Sequence, residues 1–245
     1  MRTLKLTLAY DGTSYAGWQR QINAVAVQQI VEEAFAHLTG GVMTAISAAG
    51  RTDAGVHALG QVASVEVDFD HSPLSVQRAL NVRLPADIRV MDVTEMPVGF
   101  HARFHATGKA YRYRMGINAV LSPFDRHYMW HVPWPLNLSS MQAAAVHLTG
   151  THDFASFQAT GTTITETVRT LDRLTITDLG GELCIDAEGD GFLRNMVRII
   201  AGTLMEVGSG HRTADSVPAI IDARSRDAAG KTAPPQGLTL MSVRY

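Results

Sequence analysis

The chain has 245 residues, 46% of them hydrophobic and 18% charged, with a formal net charge of -2. Those proportions exclude a disordered chain, no apolar run reaches the length of a membrane span, and the length suits one large domain or two of ordinary size. A single cysteine, Cys184, excludes an internal disulfide and a cysteine metal cluster. Met1 to Lys5 lead straight into a strand pattern without a signal peptide, so a cytoplasmic address is expected.

Leu4, Leu6, Leu8 and Tyr10 alternate with polar or small residues, which predicts a half-buried strand ended by Asp11-Gly12. A loop from Tyr15 to Gln21 follows, rich in groups that stack and hydrogen-bond. Val27, Ile30, Val31, Ala34, Phe35 and Leu38 then recur at helical spacing. The apolar runs Val42 to Ala49 and Val62 to Val67 predict two strands joined by a nonapeptide, Gly50 to Ala58, whose Gly50 and Gly55 permit positive φ. A short helix from Pro73 to Asn81 and a strand from Ile88 to Val93 come next, with Asp68-Phe69-Asp70 a polar strand end.

Lys109 to Ile117 has strand character. Ser139 and Gln142 predict a capping box for a helix that buries Met141, Ala144, Ala145 and Leu148. Arg169 to Thr177 and Glu182 to Glu188 read as strands joined through Gly180-Gly181, with Cys184 as inert packing. Phe192 to Val207 reads as a helix with Met196, Ile199, Ile200, Thr203, Leu204 and Val207 inward, stopped by Gly208. A last strand runs from Leu238 to Tyr245. This irregular alternation predicts an α+β fold with mostly antiparallel sheet. The expected organisation is two similar lobes, residues 1–105 and 106–245, meeting at a central cleft.

The nonapeptide Gly50-Arg51-Thr52-Asp53-Ala54-Gly55-Val56-His57-Ala58 is the strongest candidate site. A carboxylate fixed on such a loop can face a cleft without burial in a dry core, and Arg51 can orient it or hold a phosphate. An aspartate beside glycine also commonly bonds its own turn. Tyr111 and Tyr113 alternate with Arg112 and Arg114, so in a strand the rings share one face and the guanidinium groups the other. Rings stack bases and cations meet phosphates; an ordinary strand with an aromatic core and a charged outer face has the same pattern. Arg198 is a charge inside an apolar helical run, snorkelling or paired with a carboxylate. Arg194, one turn earlier, is placed on the same face. Between Arg78 and Arg126, eight Lys/Arg stand against four acids, the excess expected of a basic cleft. His101 and His105 have chelate spacing without a third ligand, so no metal is expected.

Taken together, these motifs resemble the tRNA pseudouridine synthase A family along nearly the whole chain. The resemblance includes Tyr10-Asp11-Gly12 with Tyr15, Gly17-Trp18-Gln19, Gly50 to His57, Gly60-Gln61-Val62 and Phe100-His101-Ala102-Arg103. It continues through Lys109 with Tyr111-Arg112-Tyr113, Asp153-Phe154, Arg169-Thr170, Phe192-Leu193, Met196-Val197-Arg198, Gly202-Thr203-Leu204 and Ala233-Pro234-Pro235. It implies an isomerase converting uridine to pseudouridine at positions 38 to 40 of the tRNA anticodon arm, acting as a homodimer with neither cofactor nor metal. It further implies that Asp53 is the catalytic aspartate, Tyr111 the aromatic residue against the uracil and Arg198 the partner of Asp53. Arg20, Arg103, Arg112, Arg114 and Arg194 are candidate RNA contacts, with Arg51 in a supporting role.

The chemistry fits such residues. Uracil must lose its N1 glycosidic bond, turn, and rejoin the sugar through C5. A carboxylate near the sugar can attack C1′, or deprotonate C2′ to give a glycal; the sequence leaves both routes open. Tyr111 can stack on the base and help remove the C5 proton. A glycosylase would use the same carboxylate but let water capture the sugar, and a non-catalytic RNA-binding module would leave Asp53 without a special role.

Overall fold

The computed structural model describes residues 1–245, with five α-helices and ten strands. It is α+β, as expected, and its residues group into two compact units, one of Met1–Thr107 with Leu240–Tyr245 and the other of Gly108–Thr239. No helix is long and apolar enough to cross a membrane.

The first unit contains β1 (Arg2–Tyr10), α1 (Val27–Ala36), β2 (Ser47–Ala48), β3 (His57–Val67), α2 (Pro73–Arg83) and β4 (Ile88–Met96). Strand β1 lies between β3 and β4, antiparallel to both, with Leu6 opposite Ala63 and Val93. Its alternation works as the sequence requires: Leu4, Leu6 and Leu8 are fully buried. Each such side chain contributes on the order of 1.5–3 kcal/mol of transfer free energy. Helix α2 starts at Ser72, whose side chain accepts the Ser75 N–H, with Pro73 in the first turn.

The strand expected over Val42 to Ala49 is corrected. Only Ser47–Ala48 pairs, against Ser64 and Ala63, while Val42 and Met43 are exposed. Apolar content alone made no strand there.

The second unit contains β5 (Gly108–Gly116), β6 (Trp130–His131), α3 (Leu138–Leu148), β7 (Gly150–Asp153), β8 (Val168–Asp178), β9 (Glu182–Gly189), α4 (Met196–Gly208) and α5 (Val217–Ala223). Its strand order is β5-β9-β8-β7, antiparallel throughout, with β6 added parallel to β5. The final strand, β10 (Leu238–Arg244), passes from this unit into the first.

Two helix starts differ from expectation. The cap of α3 is Asn137, whose carboxamide oxygen accepts the Ser140 N–H at 3.0 Å. Gln142 turns away from the expected box and donates to the Ile176 carbonyl at 3.0 Å. Helix α4 begins at Met196 rather than Phe192, because Asn195 is left-handed with φ 61°. Asparagine is one of the few residues that tolerates that region. The six residues expected inward on α4 are all buried.

Candidate active site

The aspartate loop is held from three sides by its own unit. Its polar neighbours come from β1 and β3: the Tyr10 hydroxyl shares a 2.8 Å hydrogen bond with Thr52 Oγ1, and Gln61 Nε2 donates to the Gly50 carbonyl at 2.9 Å. Burial pushes the Tyr10 phenol up to about 12, against the smaller opposing effect of its Thr52 and Gln61 hydrogen bonds. It is therefore a fixed, protonated support.

The third side is the segment after β1. Trp18 N–H donates to the Thr52 carbonyl at 3.1 Å, and Gly55 N–H donates to the Tyr15 carbonyl at 3.3 Å. Gly17 makes this approach possible. It is left-handed, φ 89°, and a Cβ there would stand 2.3 Å from the Thr52 oxygen. Gly12 is as tight, since its Cβ would lie 2.0 Å from the Val56 carbonyl oxygen.

Asp53 itself is half-buried, with its carbonyl accepting the Val56 N–H at 3.1 Å to close the turn. Gly55 has the positive φ expected, 77°, whereas Gly50 does not. Arg51 is exposed and makes no salt bridge. The supporting roles of Tyr10, Gly12, Gly17 and Gln61 leave no periodic mark in the sequence, although all four stand in the motifs that carry the resemblance.

In the second unit, β5 places Tyr111 and Tyr113 on one face, as period-2 alternation requires. They do different things. Tyr113 is fully buried, donates its hydroxyl to the Pro234 carbonyl at 2.8 Å, and has its phenol pushed well up by burial. Tyr111 packs edge-on against Phe192, with ring centres 5.0 Å apart and planes at 78°. Phe192 is an aromatic neighbour that the sequence placed on a helix.

Arg198 is half-buried at the start of α4. Its Nε donates to the Ala233 carbonyl at 2.8 Å and one terminal nitrogen donates to Asn195 Oδ1 at 3.3 Å. The Arg198 carbonyl in turn accepts the Ala233 N–H at 3.0 Å. These bonds set the direction of the guanidinium. Arg194 precedes the helix instead of sharing its face. It is exposed without a salt bridge, and its carbonyl accepts the Ala159 N–H at 3.0 Å.

The basic candidates divide by their partners. Arg112 binds Asp186 through two hydrogen bonds of 2.7 and 3.1 Å, and Arg114 binds Glu182 through two of 2.5 and 2.9 Å. The hydrogen bond from Arg114 holds the Glu182 carboxyl below the usual carboxylate range. Arg20 pairs with Glu32 at 3.1 Å. Arg103 is exposed, makes no salt bridge, and lies over the Phe104 ring. The basic excess between Arg78 and Arg126 is therefore partly neutralised by acids outside that segment. His101 and His105 are taken up by their own turn: His101 Nδ1 accepts the Arg103 N–H at 3.1 Å and His105 Nδ1 accepts the His101 N–H at 2.9 Å. Burial, with a hydrogen bond to Glu182, pushes the Cys184 thiol up to about 12, so it is an unreactive core group.

An α+β chain carrying a braced aspartate loop and an aromatic–arginine pair of elements matches one family model, described as tRNA pseudouridine synthase, over residues 7–105 and 144–245. The chain belongs to that family, whose members isomerise uridine to pseudouridine in tRNA, and it is an isomerase of this class. It is 48% identical over 245 residues to tRNA pseudouridine synthase A of Geobacter sulfurreducens, covering 100% of both chains. The enzyme of that name from Halalkalibacterium halodurans is 46% identical over 242 residues, covering 97% of this chain and 90% of the relative. The one from Acetivibrio thermocellus is 45% identical over 245 residues, again covering 100% of both.

Proposed function

We propose that the isomerisation takes place at uridines 38 to 40 of the tRNA anticodon arm, with Asp53 as the catalytic residue. The observation that supports Asp53 most is the bracing of its loop: two glycines, a tyrosine and a glutamine fix the backbone around one half-buried aspartate, while the positions in the anticodon arm follow from the resemblance alone. A carboxylate that only closed its own turn would need no such frame. Held in place, it can act on the sugar by either route, attack at C1′ or removal of the C2′ proton. In both, the detached uracil stays beside an activated sugar and rejoins it through C5.

Tyr111 takes the base, its ring held by Phe192, and its hydroxyl assists removal of the C5 proton. Arg198 is assigned as the charge partner of Asp53, its guanidinium oriented by Ala233 and Asn195. A uridine in a stem must leave the stack, which costs a few kcal/mol that protein contacts must offset. Arg51, Arg103 and Arg194 are the exposed arginines assigned to phosphates, while Arg20, Arg112 and Arg114 contribute less because each shares its charge with a carboxylate. The active form is assigned as a cytoplasmic homodimer requiring neither metal nor cofactor.

The test is incubation with tRNA transcripts, followed by carbodiimide and primer-extension mapping of pseudouridine, for wild type and Asp53→Asn. Wild type is expected to modify positions 38 to 40, and the amide to abolish turnover with tRNA binding kept. Turnover of the variant within tenfold of wild type would remove Asp53 from its role. Release of free uracil would make the protein a hydrolase, and a monomeric mass in sedimentation would end the dimer assignment.

A further inference from the structure

Phe104 is 73% exposed, yet it stands on a turn of the first unit whose neighbouring residues are tied down. Ala102, two residues earlier, is fully buried in a cluster with Ala49 and Val62. Its N–H donates to Ser64 Oγ at 3.0 Å and its carbonyl accepts the Tyr245 hydroxyl at 2.8 Å. His105 N–H donates to the His101 carbonyl at 3.1 Å, and the Phe100 ring stacks on His105 with centres 5.6 Å apart. The turn that carries the exposed ring is thus fixed at its backbone.

Its flanks are polar and cationic. The His101 ring centre lies 4.3 Å from that of Phe104, and the Arg103 guanidinium carbon 5.7 Å from it. From Pro97 to Lys109 the chain has one arginine, one lysine and two histidines but no acid. A rigid aromatic face beside an unpaired cation fits a partner that offers a flat ring and an anion together. Each nucleotide of an RNA offers both.

We propose that the Phe104 turn is a second RNA-contact surface, on which an unpaired base stacks against the phenyl ring while Arg103 meets an adjoining phosphate. The proposal rests on the tRNA substrate assigned above. Ala102 shares its buried cluster with Val62 and Ala49, and Asp53 is four residues beyond Ala49, a span of at most about 14 Å of extended chain. The platform therefore contacts RNA neighbouring the reacting uridine and takes no part in the bond changes.

The variants are Phe104→Ala, Phe104→Trp and Arg103→Ala, measured by tRNA filter binding across a salt series, steady-state kinetics and thermal melting. Phe104→Ala is expected to raise both Kd and KM for tRNA about tenfold, with kcat at saturating tRNA and the melting temperature unchanged. Phe104→Trp, which restores a stacking face, should bind like wild type. Arg103→Ala should reduce the salt slope by about one unit, and Phe104→Ala should leave the slope alone, because stacking releases no counterion. Binding by Phe104→Ala within twofold of wild type overturns the platform. So does a changed sedimentation mass with unchanged tRNA affinity, which would make a second copy of the chain the occupant. If Phe104→Ala weakens binding but wild type makes no pseudouridine, the platform stands and the catalytic assignment fails; normal chemistry with an indifferent Phe104 is the reverse.

Discussion

Replacing Gly17 by alanine tests whether the aspartate loop depends on backbone contact with the segment after β1. An alanine Cβ would begin 2.3 Å from the Thr52 oxygen and 2.9 Å from the Asp53 carbonyl carbon, whereas contacts under 3.0 Å are essentially never seen. The two segments must then part by at least 0.7 Å, the difference between 3.0 and 2.3. Holding alanine at positive φ adds about 1–3 kcal/mol of strain. Parting the segments weakens the Trp18–Thr52 and Gly55–Tyr15 hydrogen bonds, each worth roughly 1 kcal/mol. The sum is about 3–5 kcal/mol, a large share of the ~5–15 kcal/mol that holds a typical domain together.

Catalysis should suffer independently. A displacement of roughly 1 Å at a reacting group can cost on the order of a hundredfold. The expected outcome for Gly17→Ala is a folded protein that melts about 10 °C lower and has kcat reduced about a hundredfold. Melting followed by circular dichroism and single-turnover pseudouridine formation measure the two effects. Wild-type kcat with a melting point shifted by less than about 2 °C would show that the close approach supports neither the loop nor the chemistry.

Tyr111→Phe keeps the ring against Phe192 and loses the hydroxyl, so it should stall the reaction after glycosidic cleavage, with a rate loss of about 10²–10⁴ and tRNA binding preserved; equal activity would leave Tyr111 a packing or stacking residue. Replacing Arg112 and Arg114 together by alanine should change the salt slope of tRNA binding less than Arg194→Ala does, because both are already bound to carboxylates; a steeper effect from the pair would return them to the phosphate surface. Glu182 has its folded-state carboxyl held below its ordinary value of 4.5 by Arg114, so the pair stabilises the fold above that value and loses its effect as pH falls through the lower folded-state range. Urea midpoints measured downward from pH 5 should fall more steeply for wild type than for Glu182→Gln, and parallel profiles would refute the linkage.

What the sequence shows and what it hides divide along contact distance. Alternation in β1 and β5 identified which side chains share a face, because a strand's period of two is local. The same alternation put Arg112 and Arg114 together but could not name their acids. Arg112 stands directly opposite Asp186 in the antiparallel register, while Arg114 stands opposite Cys184 and reaches Glu182 on the diagonal. Those partners lie 74 and 68 residues away. Register is a property of the paired strands, and neither strand alone carries it.

Backbone contacts are less legible still. Gly12 and Gly17 are needed because Val56 and Thr52 approach them, yet a missing side chain leaves no periodic trace at either end. Single-residue geometry overrides the pattern elsewhere: the apolar pattern from Phe192 onward is helical in spacing, but the left-handed turn at Asn195 delays α4 until Met196. That delay has a chemical consequence. It leaves Phe192 off the helix and against Tyr111, and it turns the Asn195 carboxamide toward the Arg198 guanidinium. One residue of unusual backbone thus sets the neighbours of two proposed site residues, which the helical pattern conceals.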